Sequence, residues 1–402
     1  MSNEADVLLT YGWCRSSYAA LRGLAQEGVR VVAADHHRTG MCRASRLAHA
    51  RARYASPHLD PAGFVSDIER LSRDAGVAMI LPGHDEGELL AEARDQGRFD
   101  TPASLPLASS ESLALVNDKH RMTCFAEQAG VPVAPMVAYT NVSQLAGLTD
   151  PERHYIARAR RGNSSKGVRY SRGGASLGTL VRDMQSDFEL DPQRLPVVQE
   201  VVGGEGWGVS CLYWHGQALA SFTHRRLQEK VASGGTSTLR ISDSNPLLES
   251  YAHTLLERLQ WHGLAMIEFK YEPTHKQGYF IEINPRLWGS FDLALSSGVN
   301  FAYLLYLAQT QGPEAVLALA TKGRDGVVAK WLLGDIIRRL TLARQRQFGA
   351  ALSRSLPGQV AVSSYDDIKR DDPWIFCGEA FHYLAKGVSS FSLNPREPGM
   401  VR

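Results

Sequence analysis

Paired cysteines, an excess of either charge and long apolar runs are all missing from this chain. Its five cysteines (Cys14, Cys42, Cys124, Cys211 and Cys377) are dispersed and odd in number, with no C-x-x-C spacing. That argues against a zinc module or a dithiol redox motif and predicts reduced thiols in a reducing compartment. Lys+Arg number 44 and Asp+Glu 42, a formal charge of +2. Such a balance is not that of a protein that coats nucleic acid. No stretch approaches the ~20 apolar residues of a membrane span. The N-terminal MSNEADVLLTYGW has acids where a secretion signal has lysines, so a cytoplasmic location is expected. What the chain does have is core material: 44% of its 402 residues are hydrophobic, enough for about two or three domains.

The first 110 residues alternate apolar strands with amphipathic helices. Strands are expected at 7–9, 29–34 and 77–81 and helices at 16–27, closed by Gly28, and 61–75. This alternation predicts an α/β unit with a parallel sheet, whose ligands lie beyond the carboxyl ends of the strands. The turn after the first strand carries one glycine, Gly12, where a dinucleotide fingerprint has three, so NAD(P) is disfavoured despite Asp35 at the ribose-acid position. A helix is expected at 112–129, then short β segments around a Gly/Ser-rich loop with a helix near 176–188. From 200 to about 310 the chain reads as β-rich, with helices at 246–260 and 300–311. Overall this is an α/β, or α+β, chain.

Three segments carry chemistry. In the first, Ile267-Glu268-Phe269 and Ile281-Glu282-Ile283-Asn284-Pro285-Arg286 flank the turn-rich EPTHKQG. Period-two alternation puts Glu282 and Asn284 on one face, with Ile281 and Ile283 in the core, and a hairpin would bring Glu268 beside Glu282. Two carboxylates and an amide oxygen suit Mg²⁺, or alternatively Mn²⁺, and Arg286 would clamp an anion there. The alternative is an ordinary hairpin with solvated acids. The second segment runs from Tyr155 through Arg158 to Gly162-Asn163-Ser164-Ser165-Lys166-Gly167. Its small and hydroxyl residues between cations let backbone N–H groups approach phosphate, unless it is a solvated hairpin tip. The third, Gln199-Glu200-Val201-Val202-Gly203-Gly204-Glu205, is a glycine-rich connection able to meet an adenine edge and ribose hydroxyls, or simply an interdomain turn.

The ordered series NDK, R-x-x-x-G-x-x-S-K-G, Q-E-x-x-x-G-E, I-E-F and E-I-N-P-R resembles the ATP-grasp superfamily, and within it the carbamoyl-phosphate-synthase-like carboxylate–amine ligases, over residues 1 to about 310. The resemblance implies a preATP-grasp domain (1–112), a linker helix and lid (113–199), a C-terminal ATP-grasp half with the metal site (200–325) and an extension (326–402). It implies ATP contacts for Lys119, Arg158 (where the family usually has lysine), Gly162, Ser164, Ser165, Lys166, Gly167, Glu200, Val202 and Glu205. Glu268, Glu282 and Asn284 match metal ligands, and Arg286 and Lys166 the catalytic cations. The implied activity is ATP-dependent joining of a carboxylate to an amine through an acyl phosphate, with small-molecule substrates and a homodimer as one assembly. The alternatives are carboxylate or carbamate phosphorylation without amide formation, or a nucleotide-binding scaffold.

Substrate-facing candidates are Asp85 and Glu86 after the third expected strand, Arg226, and Asp292 beyond Arg286; Tyr11, Arg15 and His224 are further ones. Residues 336–356 hold five arginines and no acid, with Ile336, Leu340, Phe348, Leu352 and Leu356 spaced as the stripe of a basic amphipathic helix. The stripe is expected to pack on the body, with attachment to an anionic membrane surface as the alternative. Residues 366–373 read as a solvated loop.

Overall fold

The computed structural model describes residues 4–148, 150, 152–162, 167–172, 176–191, 193–230, 236–319, 322–353 and 356–390. Near the N-terminus, β1 (Val7–Leu9), β2 (Val31–Asp35), β3 (Ala50–Arg53) and β4 (Met79–Leu81) form a parallel sheet in the order β3-β2-β1-β4. Every residue of β1, β2 and β4 is buried, as a sheet covered on both faces requires. The edge strand β3 is not among the expected strands, because its Ala-Arg alternation carries little apolar signal; at the sheet edge its arginines can remain in water. The helix Arg15–Gln26 ends at Gly28 with φ +77°, and Pro61–Asp74 begins with the Asp60 side chain accepting from the Gly63 N–H.

A small antiparallel sheet follows, β6-β5-β7, from β5 (His154–Arg158), β6 (Val168–Arg172) and β7 (Val197–Glu200). With the helix Leu177–Asp187 it has its own core of Leu145, Tyr155, Ala157, Val181, Met184 and Val198. The expected helix over 112–129 is two helices, Ser110–Asn117 and Lys119–Gln128, broken at Asp118 (φ −92°, ψ 104°). Asp118 caps the second by accepting from the N–H groups of His120 and Arg121.

The largest sheet has the order β12-β11-β8-β9-β10-β13-β14. Its strands are β8 (Glu205–Trp214), β9 (Gln217–Glu229), β10 (Ser237–Ser242), β11 (Gly263–Glu272), β12 (Gln277–Asn284), β13 (Val328–Lys330) and β14 (Ser364–Tyr365). One face packs Val209, Cys211, Ala265, Ile267, Phe280 and Ile283 against the helices Pro246–Arg258 and Lys119–Gln128. The other face is apolar at Leu264 and Met266, which share a core with Leu21, Leu24 and Phe301. Farther along that face, at Glu268, it becomes charged. No single described helix is long and apolar enough to cross a membrane; the helices Phe291–Ser297 and Phe301–Gln311 pass the test only as a pair bent by 81°.

Two expectations about the C-terminal segment fail. Residues 336–356 are not one helix: Leu332–Arg344 and Phe348–Leu352 are separate, with Arg346 at φ +61° between them. Their apolar stripe faces outward, from Ile336 at 38% exposure to Leu352 at 78%. The helix is anchored instead through Trp331, Leu333 and Ile337, which meet Phe376, Ala380 and Tyr383, and this fixes a rotation that leaves Ile336 and Leu340 outside. Nor is 366–373 a solvated loop. Asp366, Asp367 and Asp372 are buried: Asp366 bonds Arg240, Asp367 caps the Leu332 and Leu333 N–H groups, and Asp372 accepts from Ser45 and the Arg46 N–H.

Candidate active site

The hairpin β11/β12 pairs Glu268 directly with Glu282 and Met266 with Asn284. Its register shifts immediately beyond: Phe269 pairs with Phe280, so Ile281 is an extra residue on β12. The bulge moves Phe280 into the core in place of the expected Ile281 and leaves the Ile281 carbonyl to accept from Arg158 Nη1 at 3.1 Å. Asn284 Nδ2 donates to Glu268 Oε1 at 3.1 Å, tying the amide to the first carboxylate.

Four cations converge on these groups from different elements. Arg158, at the end of β5, donates through Nη2 to Glu282 at 2.9 Å, and Lys119 Nζ is 3.7 Å from the same carboxylate. Lys119 reaches it because the Asp118 break starts a new helix there; its Nζ also donates to the Gly162 carbonyl at 2.6 Å. Arg226, on β9, bonds Glu268 across the intervening strand β8. That strand has Gly206 and Gly208 where side chains would stand, so Arg226 and His224 lie over it. Arg286 is 2.8 Å from Asp85 through Nε. Tyr11, His84, Asp85, Lys119, Glu282 and Arg286 line a cleft of about 280 Å³ between the N-terminal sheet and this hairpin.

The two carboxylates differ electrostatically. Burial pushes both up, but around Glu282 the charges of Lys119, Arg158, Arg286 and Arg226 outweigh it, and the net shift is downward. For Glu268 burial prevails over Arg226, and Glu282 adds repulsion, so its carboxyl lies above the ordinary value. Burial lowers the Lys119 ammonium. The donor set fits Mg²⁺ or Mn²⁺: two carboxylates and one amide within a single hairpin are hard oxygen ligands. The cations on its rim suit phosphate oxygens.

Gly167 accepts from the Ala159 N–H at 2.8 Å, across the same strand end as Gly162. Ser164, Ser165 and Lys166 lie outside the described residues. Glu200 ion-pairs with Arg153, Val202 is half-buried in the connection between β7 and β8, and Glu205 is 3.1 Å from Arg225. Glu86 is buried and turned into its own loop, accepting from Thr10 Oγ1 and from the Gly83 and His84 N–H groups. Asp292 is buried against Lys369, 2.9 Å away. Asp35 accepts from the Trp13 and His37 N–H groups, a local use that leaves the ribose-acid idea without support.

Sequence reasoning missed the fixed partners of these groups. Gln199 donates to the Ala134 carbonyl and accepts from Arg158 at 3.5 Å. His224, beside Ser290 at 2.9 Å, is held down to about 3 by burial and by Arg226 and Arg240, so it is a neutral packing group. The alternation of Gly206 and Gly208 in a strand was the available signal, since small residues on one face leave room for a neighbour's long side chain.

A family model described as "ATP-grasp in the biosynthetic pathway with Ter operon" matches residues 193–330. A search of curated proteins found no match in sequence. Among solved structures, an N5-carboxyaminoimidazole ribonucleotide synthetase in complex with ADP is similar at TM-score 0.61 and 16% identity, over 89% of this chain and 90% of that one. The L-amino acid ligase from Bacillus licheniformis is similar at TM-score 0.60 and 13% identity, over 81% and 79%. The biotin carboxylase domain of 2-oxoglutarate carboxylase from Hydrogenobacter thermophilus, solved with MgADP and bicarbonate, is similar at TM-score 0.60 and 14% identity, over 81% and 73%.

Proposed function

We propose that this chain, which has the ATP-grasp fold, is an ATP-dependent ligase that joins a small carboxylic acid to an amine, with ADP and phosphate as products. The observation that carries the reading is the β11/β12 hairpin. Glu268, Glu282 and Asn284 face Lys119, Arg158 and Arg226, with Arg286 at the mouth of the neighbouring cleft. The similar structures include a ligase of amino acids and proteins solved with ADP or MgADP, which supports ATP and magnesium here.

Glu268, Glu282 and Asn284 would hold the divalent ion, which when bound neutralises phosphate charge. Lys119 and Arg158 bind phosphate oxygens, exchanging a carboxylate partner for a phosphate one. A substrate carboxylate attacks the γ-phosphorus, the bond to the bridging oxygen breaks, and an acyl phosphate and ADP result. The amine then adds to the acyl carbon; phosphate leaves with the C–O electron pair and the nitrogen loses a proton. Arg286, oriented by Asp85, supplies donors to the oxyanion formed at that carbon. No side-chain nucleophile is required.

The test is Glu282→Ala with a matrix of amino acids offered as acid and amine, read by phosphate release and product mass. ADP formation should vanish while circular dichroism stays unchanged. Full turnover in that variant would refute the metal assignment.

A further inference from the structure

Residues far apart in the chain meet behind the loop that carries Arg286. Arg15 begins the helix after β1, Arg240 lies on β10, and Trp331, Asp366 and Glu379 come from the C-terminal segment. The Arg15 guanidinium lies 4.0 Å over the Trp331 ring, and Arg15 is only 7% exposed. It also lies against Gly289, where a Cβ would be 2.5 Å from Nη2. Gly289 follows Arg286 by three residues, a span of at most about 10 Å.

The hydrogen bonds in this cluster do not close among themselves. Asp366 serves two guanidiniums: Arg240 Nη2 bonds both of its oxygens, and Arg15 Nη1 is 3.6 Å away, too far for a hydrogen bond. The other acids nearby are turned to other groups, although Asp292 Oδ1 makes no hydrogen bond among the described residues. Asp367 accepts from the Leu332 and Leu333 N–H groups, and Asp292 faces Lys369. Glu379 accepts from Trp331 Nε1, and burial, with Asp367 nearby, pushes its carboxyl up to about 8, which leaves it largely neutral at pH 7. Arg15 Nη1 and Arg240 Nε are buried and make no hydrogen bond among the described residues. Buried donors are normally satisfied, so the two guanidinium groups lack an acceptor at these atoms.

We propose that Arg15, backed by Arg240 and supported on Trp331, is an anion subsite that takes a carboxylate or phosphate group of the substrate acid, remote from the carboxyl that reacts beside Arg286. The inference rests on the ligase reading and narrows it: the acid carries a second anionic group besides the reacting one. It also gives the C-terminal segment a role, because Trp331, Asp366 and Glu379 build one wall of the subsite.

Calorimetric titration without nucleotide tests it, since binding then needs no turnover. The probes are succinate, glutarate and L-glutamate for a second carboxylate, 3-phosphoglycerate for a phosphate, and acetate as the singly charged control. At least one doubly anionic acid should bind the wild-type protein more tightly than acetate, and its class identifies the second group. Arg15→Met should weaken that binding about tenfold or more, as the loss of a charged hydrogen bond does. Arg15→Lys, which keeps the charge without the fork, should weaken it less and serves if Arg15→Met does not fold. Doubly charged acids binding no better than acetate, or Arg15 variants binding as wild type, would overturn the subsite. Mg-ATP titrated into the same samples separates the two ideas: failure to bind it in the wild type would sink the ligase reading, whereas unchanged Mg-ATP binding in the Arg15 variants assigns their defect to the acid.

Discussion

Gly206 and Gly208 lie on β8, between the strand that carries Arg226 and His224 and the strand that carries Glu268. A Cβ at Gly208 would lie 2.3 Å from His224 Cε1, inside a buried ring that is bonded to Ser290. One at Gly206 would lie 3.1 Å from Arg226 Cδ, a contact that a shift of a few tenths of an ångström would relieve. Gly208→Ala should therefore cost about 1–3 kcal/mol, as overpacking does, and Gly206→Ala less than about 1 kcal/mol. Denaturant midpoints would show this, and equal losses in the two variants would contradict the packing account. The alternating glycines are visible in the sequence, but which side chain crosses them is not, because Arg226 and Glu268 lie two strands apart in the sheet.

Among the elements, the break at Asp118 has the most direct consequence for the site. A continuous helix would carry Lys119 round its own axis; a new N-terminus lets the backbone of Lys119 bond the Arg160 carbonyl while its ammonium points to Gly162 and Glu282. Asp118 also bonds Arg160 through Nε at 3.1 Å. Asp118→Ala should cost about 1 kcal/mol as a lost cap and raise the KM for ATP more than it lowers kcat, with Asp118→Asn recovering most of both. Steady-state kinetics with melting curves would check this; an unchanged KM would mean that the cap does not position Lys119. The bulge at Ile281 acts similarly, since it supplies a carbonyl to Arg158. Neither irregularity was readable from periodicity. A strand pattern shows which face a residue occupies until one extra residue inverts it, and an Asp amid helix formers is ambiguous between surface and cap.

At the scale of the molecule, the C-terminal segment is bound in through buried charge. Burial raises the Glu379 carboxyl from 4.5 to about 8, with Asp367 adding to the shift and Arg15 opposing it. The folded state thus keeps a proton that the unfolded chain releases above its lower value. The contribution to stability is complete below about 4.5 and is lost as pH rises through about 8. Glu379→Gln, which cannot titrate, should flatten the fall in melting temperature over that interval. Parallel pH profiles in the two proteins would show that Glu379 is not the group responsible.

The sequence by itself determined the parts governed by local rules. Apolar runs set the parallel sheet, turn residues set the β11/β12 hairpin, and alternation put Glu268, Glu282 and Asn284 on one surface; the order of these motifs pointed to the ATP-grasp fold. Tertiary structure alone decided which cation meets which carboxylate, because Arg158, Arg226 and Lys119 are long side chains whose targets lie on other elements. It also decided the fate of the last segment. Asp366, Asp367 and Asp372 look like a solvated loop until Arg240, a helix start and Ser45 are brought to them, and the stripe of Ile336 and Leu340 looks buried until Trp331 fixes the rotation of its helix. Burial is a property of what arrives from elsewhere in the chain, and spacing along one segment carries no record of it.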